Sequence, residues 1–252
     1  MSALLVDIGN TRIKWARLMG DRLGRQQAAA FAHWTARDFA RRVIGGARGV
    51  ERVLVSSVAG ARVNRAFTRA AKLAGAVAPD FLVTQREAGG VTTAYLEPWR
   101  LGVDRFAMAI GAHQLAKPRP ACIVSVGTTL TIDLVTANGR HMGGAILPSP
   151  GLMVDSLLRN TDGIRKRASG GQLGERGLFA RTTRAAIEQG ALYAAAAAID
   201  RAAEESRWVL GRRPLLLMTG GAAKDVAPLV RTAYTIVPDL VLRGLAVLAA
   251  NG

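Results

Sequence analysis

Apolar runs and short polar turns alternate along the whole chain. In "LLVDIGNTRIKWA" (4–16), residues 3–9 read as a buried strand and 12–18 as a second. The two are paired through the turn Gly9-Asn10-Thr11. Residues 35–45 read as helix, "RVLVSSV" (52–58) as strand, 62–75 as an Ala- and Arg-rich helix and "FLVT" (81–84) as a short strand. "VDRFAMAIGAHQLA" (103–116) repeats apolar positions at helical spacing. The stretch Lys117-Pro118-Arg119-Pro120 then stops the pattern, because proline cannot continue a helix and restrains the residue before it.

After that break the chain opens a second time as it opened the first. "ACIVSV" (121–126) is a buried strand, "GTTLTIDLV" turns and returns as another, and "HMGGAIL" (141–147) supplies a third. Residues 181–206 predict a long helix, "PLLLMTGG" (214–221) a strand and glycine turn, and 222–231 and 238–250 further helices. The echo of strand, polar turn and strand at 4–16 and 122–135 predicts two related α/β lobes, over 1–117 and 118–252.

Half of the 252 residues are hydrophobic, enough for a sizeable core. No signal-peptide pattern opens the sequence, and no apolar run approaches the ~18–20 residues that span a bilayer. The single cysteine, Cys122, lies in an apolar run and reads as a small buried hydrophobe. These features predict a cytoplasmic protein with no membrane partner. The net charge of +16 is mostly arginine and favours anionic ligands. The basic residues are scattered, with their densest cluster, Arg159 to Arg167, in a predicted loop. Without aromatic interleaving, zinc spacing or a recognition helix, nucleic acid is not the expected partner. His33, His113 and His141 are widely separated, so a histidine metal site is not expected.

Four turns carry candidate chemistry. In "DIGNTRIK" (7–14), successive backbone N–H groups of a glycine turn form a nest for anionic oxygens. Asp7 can hold a hydrated Mg2+ that bridges phosphates, and Lys14 can counter their charge. The plain alternative is a hairpin whose Gly and Asn serve only the turn. "GTTLTID" (127–133) and "TGGAA" (219–223) offer two more such turns, or else a Thr-rich hairpin and ordinary strand-to-helix packing. In "YLEPWRLGVDRFAMAIGAH", the Gly102-Val103-Asp104-Arg105 segment sits where a loop becomes a helix. Asp104 reads either as a helix N-cap or as the acceptor of an alcohol proton beside an anionic substrate, with Tyr95 on the same pocket.

Taken together, "DIGNTRIK" (7–14), "Y…LGVDR" (95–105), "GTTLTID" (127–133), "GGAILPSPG" (143–151), "TTRAAIEQG" (182–190) and "TGG" (219–221) resemble the type III pantothenate kinases. That family is part of the acetate and sugar kinase/Hsp70/actin superfamily. The resemblance implies an α/β fold of two RNase H-like lobes around a nucleotide cleft. It implies a homodimer and ATP-dependent phosphorylation of pantothenate to 4′-phosphopantothenate, the first step of coenzyme A synthesis. By position, Asp7, Ile8, Gly9, Asn10, Thr11, Arg12, Ile13 and Lys14 resemble the first phosphate loop, and Thr128 an ATP contact in the second. Asp104 resembles the general base. Gly102, Val103 and Arg105 resemble the lining of the pantothenate pocket, with Tyr95 and Thr183 as further substrate contacts.

The sequence also departs from the family. An Asp that binds activating K+ or NH4+ usually stands two residues before the second loop's Gly-Thr. Ser125 stands there instead, and a hydroxyl is a far weaker cation ligand than a carboxylate. Thr182 replaces the usual Asn before Thr183, and the "PSPG" loop (148–151) is longer than the common "PG". A related branch, the Bvg accessory factor group, is named for an effect on transcription. The alternatives are therefore a nucleotide-binding regulatory protein of the same fold that has lost catalysis, and a kinase for another small hydroxylated substrate.

Overall fold

The computed structural model describes residues 1–47, 49–169 and 177–250. The chain forms two compact units. One comprises Met1–Pro118, Val135–Gly143 and Asp239–Gly252, the other Arg119–Leu134 and Gly144–Pro238. The first break falls within the predicted proline-rich stop, and two later segments return to the first unit.

The first unit is built on β1 (Ser2–Ile8), a strand buried on both faces and hence apolar almost throughout. It pairs antiparallel with β2 (Arg12–Met19) and parallel with β5 (Arg52–Ser57). Small strands complete this sheet: β3 (Arg22–Leu23) and β4 (Gln27–Ala30) on β2, and β6 (Pro79–Phe81) on β5. Helices cover both faces. On one side Leu4, Val6 and Ile8 pack with Phe39 and Phe67, from α1 (Ala36–Phe39) and α2 (Ala61–Leu73). On the other lie α3 (Val103–Ala116) and α8 (Leu240–Ala250), which pack on β5 and β1. A two-strand ribbon, β7 (Glu87–Ala88) and β8 (Val91–Thr93), pairs with the start of β11 (Arg140–Pro148), placing His141 beside Thr93.

In the second unit the strands run in the order β13 (Tyr234–Ile236), β12 (Leu215–Thr219), β9 (Ala121–Val126), β10 (Thr129–Val135), then the rest of β11. As β1 runs parallel to β5, β9 runs parallel to β12. The sequence echo thus corresponds to matching strand arrangements. Val124, Leu130, Ile199 and Met218 are core residues here, contributed by these strands and by α6 (Thr183–Leu210), with α7 (Ala223–Val226) adding Val226. Cys122 is fully buried, and burial pushes its thiol up to about 11.

Two local expectations need correction. The basic cluster Arg159–Arg167 is not a loop: it spans the end of α4 (Pro150–Asn160) and most of α5 (Asp162–Ala168). Ser149 caps α4 by accepting the Leu152 N–H at 3.3 Å, and Pro150 follows at the tolerated first position. The short strand expected over 81–84 lies instead over Pro79–Phe81, where β5 supplies its hydrogen-bonding edge. Among the described residues no helix is long and apolar enough to cross a membrane.

Helices α3 and α8 touch backbone to backbone. A Cβ on Gly111 would sit 2.6 Å from the Leu240 carbonyl oxygen, and one on Gly244 only 1.8 Å from that of Ala107. Gly244→Val should therefore drive the helices apart, at the ~1–3 kcal/mol typical of overpacking. The expected fall in Tm is about 2–4 °C per kcal/mol for a protein of this size. A thermal melt followed by circular dichroism measures it, and an unchanged Tm would contradict the close contact.

Candidate active site

The site in the first unit begins where β1 ends. The register sets Asp7 opposite Lys14 and Ile8 opposite Ile13, leaving Gly9-Asn10-Thr11 as the turn. Asn10, Thr11 and Arg12 are exposed, while the side chains of Ile8 and Ile13 are fully buried in the core. Those two positions can therefore offer a ligand only their backbone. Asp7 is 7% exposed, and its carboxylate lies 3.8 Å from the Lys14 ammonium. Burial pushes Asp7 up to about 6, opposed by Lys14 and reinforced by repulsion from Asp104. The two carboxylates, nearly a hundred residues apart in sequence, thus share one electrostatic site.

Asp104 lies in the first turn of α3, but it is not the N-cap. Gly102 occupies that position and offers no side-chain cap. Asp104 Oδ1 accepts the Arg105 N–H at 2.8 Å, which orients the carboxylate. A Cβ on Gly102 would come within 2.9 Å of that same oxygen, so glycine keeps the approach to Asp104 open. The loop before it is held by Thr84 Oγ1, which donates to the Leu101 carbonyl at 2.9 Å.

Arg105 is 4% exposed and donates from Nη1 to the Tyr95 hydroxyl at 3.0 Å. The structure thus brings together the tyrosine and the arginine that the sequence placed in one pocket. The Tyr95 ring stacks on buried His141 at 6.0 Å between centroids. Its N–H donates to Thr93 Oγ1 at 3.2 Å, and that hydroxyl also lies 3.4 Å from His141 Nδ1. Arg86 pins the segment by donating to the Tyr95 and Leu96 carbonyls at 2.6 and 2.7 Å. The sequence reading missed Arg86, Thr93 and the part played by His141. Their contacts arise from the β8–β11 pairing, which no local pattern announces.

The second unit holds the other predicted turns. Thr128 is exposed between β9 and β10, and Ser149 Oγ donates to its carbonyl at 2.8 Å. Ser149, expected in the "PSPG" loop, is the N-cap of α4. Gly220, at φ +100°, lets the "TGG" turn pack on Val126, where a Cβ would lie 2.2 Å from the carbonyl oxygen. The 127–129 and 219–221 turns are thereby neighbours, and Ser125 pairs in register with Thr219. Thr183 opens α6, and Thr182 is its N-cap, accepting the Ala185 N–H at 3.2 Å. Thr182 can therefore do the capping work of an Asn.

Among the described residues no group of three or more His, Cys, Asp or Glu side chains can cage a metal. A single carboxylate beside a nest of backbone amides suits Mg2+, which retains most of its water and binds largely through phosphates. Asp7 fits that role once ionised.

The sequence profile of the type III pantothenate kinases matches residues 3–205. A type III pantothenate kinase of Nitrosococcus oceani is 37% identical over 98% of this chain and 94% of its own. One from Janthinobacterium sp. is 40% identical over 96% and 95%. Among solved structures, a Baf family protein from Campylobacter jejuni superposes with a TM-score of 0.60 at 18% identity, covering 98% of both chains. A ROK family glucokinase from Streptomyces griseus, in complex with glucose and AMPPNP, gives 0.54 at 13% identity and covers both chains fully. The fold is one shared with these two solved structures, and the chain belongs to the type III pantothenate kinase family.

Proposed function

We propose that this protein transfers the terminal phosphoryl group of ATP to pantothenate, giving 4′-phosphopantothenate, the first committed product on the way to coenzyme A. Family membership supports the reaction. The observation that carries the residue assignment is the coupling of Asp7 and Asp104 at the end of β1, with Lys14 beside Asp7.

Phosphoryl transfer depends on positioning and charge neutralisation more than on covalent help. In the proposed reaction the amides of the Gly9–Thr11 turn meet phosphate oxygens, and Thr128 is assigned as a further ATP contact. Lys14 adds positive charge. Asp7 would hold a hydrated Mg2+, which would supply neutralisation of the phosphate charge. Asp104 accepts the proton of the primary hydroxyl as that oxygen bonds to phosphorus. Gly102 and Val103 let the substrate approach, and Arg105, steadied by Tyr95, pairs with the pantothenate carboxylate. Thr183 is assigned as a further substrate contact.

The proposal extends to a homodimer in the cytoplasm. Exposed Leu152, Leu157 and Phe179 supply apolar surface for self-association, and a lone buried thiol suits a reducing compartment. The two units are read as RNase H-like lobes, with 135–143 and 239–252 joining the first lobe rather than the second of the 1–117 and 118–252 division. With Ser125 in place of the usual Asp, K+ or NH4+ activation is weak, or is supplied by other ligands.

Three measurements test this reading. Asp104→Asn should lose about 10²–10⁴-fold in pantothenate-dependent ADP release while still binding ATP. Full turnover in that variant would remove Asp104 from its role. The same assay in K+, NH4+ and Na+ salts should show little difference between cations, and strict K+ or NH4+ dependence would show that other ligands supply the cation site. The third concerns pH. The folded protein holds the Asp7 proton up to about 6, whereas the unfolded chain releases it near 3.8. Wild type should therefore lose stability relative to Asp7→Asn as pH rises across that interval, by roughly 3 kcal/mol at most, and run parallel above it. Urea melts at stepped pH measure the gap, and a constant gap would show that Asp7 is not buried as described.

A further inference from the structure

The second unit carries a groove that the proposed reaction does not use. It has a volume of about 970 Å³ and lies between the C-terminal half of α6 and the sheet edge formed by β12 and β13. Residues 193, 196, 200, 203 and 207 recur at helical spacing along its α6 wall. Buried Ala196 and Ala203 keep the floor low.

The opposite wall is tied in place. Asp200 Oδ1 and Oδ2 each accept the Arg231 N–H at 3.1 Å, and Oδ1 also accepts that of Thr232 at 2.9 Å. These bonds clamp the segment before β13 to α6, so the groove is preformed on both sides.

Five arginines line this groove: Arg119, Arg201, Arg207, Arg213 and Arg231. Only two carboxylates join them, and Asp200 is committed to the clamp. Arg201 pairs with Glu205 on its own helix. Among the described residues the other four guanidinium groups have no ion-pair partner, and they come from α6 and from the approaches to β9, β12 and β13. Convergence from four parts of the fold on one preformed groove is unlike the scattered arginines elsewhere. Guanidinium forks pair bidentately with phosphate oxygens, and a single phosphate would fill only a small part of this volume. Tyr193 and Tyr234 add hydroxyl donors and ring faces.

We propose that this groove binds a small ligand bearing two or more linked phosphates, independently of the nucleotide site. The test is titration calorimetry at about 0.15 M salt with Mg2+ and one equivalent of AMPPNP per chain, enough to fill the kinase site and leave the groove open. Inorganic tripolyphosphate and CTP are titrated in parallel. Wild type should show one further site. Tighter binding of CTP assigns the ligand to the nucleotides, and equal binding assigns it to free polyphosphate.

Arg207→Gln/Arg213→Gln should weaken that site about tenfold or more for each arginine lost. A charge-matched control on α2, Arg62→Gln/Arg65→Gln, should leave it unchanged. Absence of a further site in wild type overturns the proposal without recourse to any variant. Equal weakening by the α2 control also overturns it, since binding would then reflect only net charge. Displacement of tripolyphosphate by a short DNA duplex, with steep salt dependence, overturns it in favour of nucleic acid.

Discussion

A carboxylate buried at the end of a strand is the constraint on which the candidate site depends. Asp7 lies where β1 stops being apolar, and burial disfavours its charge. The fold does not remove that penalty; it offsets it with one cation, Lys14, placed directly across the β1–β2 ladder. It then adds to the penalty by setting Asp104 nearby. Such an arrangement disfavours the Asp7 charge and is poor for stability. Strained electrostatics of this kind cluster at functional sites.

The placement of Asp104 depends in turn on α3, and α3 is fixed by packing remote from the chemistry. Gly111 and Gly244 allow α3 and α8 to meet at backbone distance, with both helices lying on the sheet that carries Asp7. The loop leading into α3 is held by Thr84, and the Tyr95 segment by Arg86 and Thr93. Arg105, almost wholly buried, then has one side fixed by the Tyr95 hydroxyl. A guanidinium held in this way loses little further freedom on meeting a carboxylate, which favours selective recognition of an anionic substrate.

The second unit repeats the plan with different chemistry. Its first strand also ends in a polar turn, but the strand-end acid is absent: Ser125 and Thr219 lie side by side in register. Hydroxyls and backbone amides dominate there, held by Ser149 and by the close packing of Gly220 on Val126. One strand end is thus charged and the other neutral, although the two strand–turn–strand segments look alike in sequence.

Much of this was legible in the sequence. The strands at 2–8, 12–19, 52–57, 121–126 and 129–135, and the helix at 103–116, follow from apolar periodicity and from glycine and proline punctuation. The candidate residues followed from turn chemistry and family resemblance, which need only local spacing. The sequence did not show that Arg159–Arg167 is helical, because a capping Ser149 and a leading Pro150 looked like loop residues until α6 gave α4 and α5 something to pack on. Nor did it show Arg86, Thr93 and His141 supporting Tyr95, or five arginines from four separate segments lining one groove. Periodicity and turn preference act over a few residues, so the chain determined its own elements and its reactive turns. Which side chains meet, which charges are buried and which arginines go unpaired depend on strand register and helix docking, and those exist only once the tertiary structure has formed.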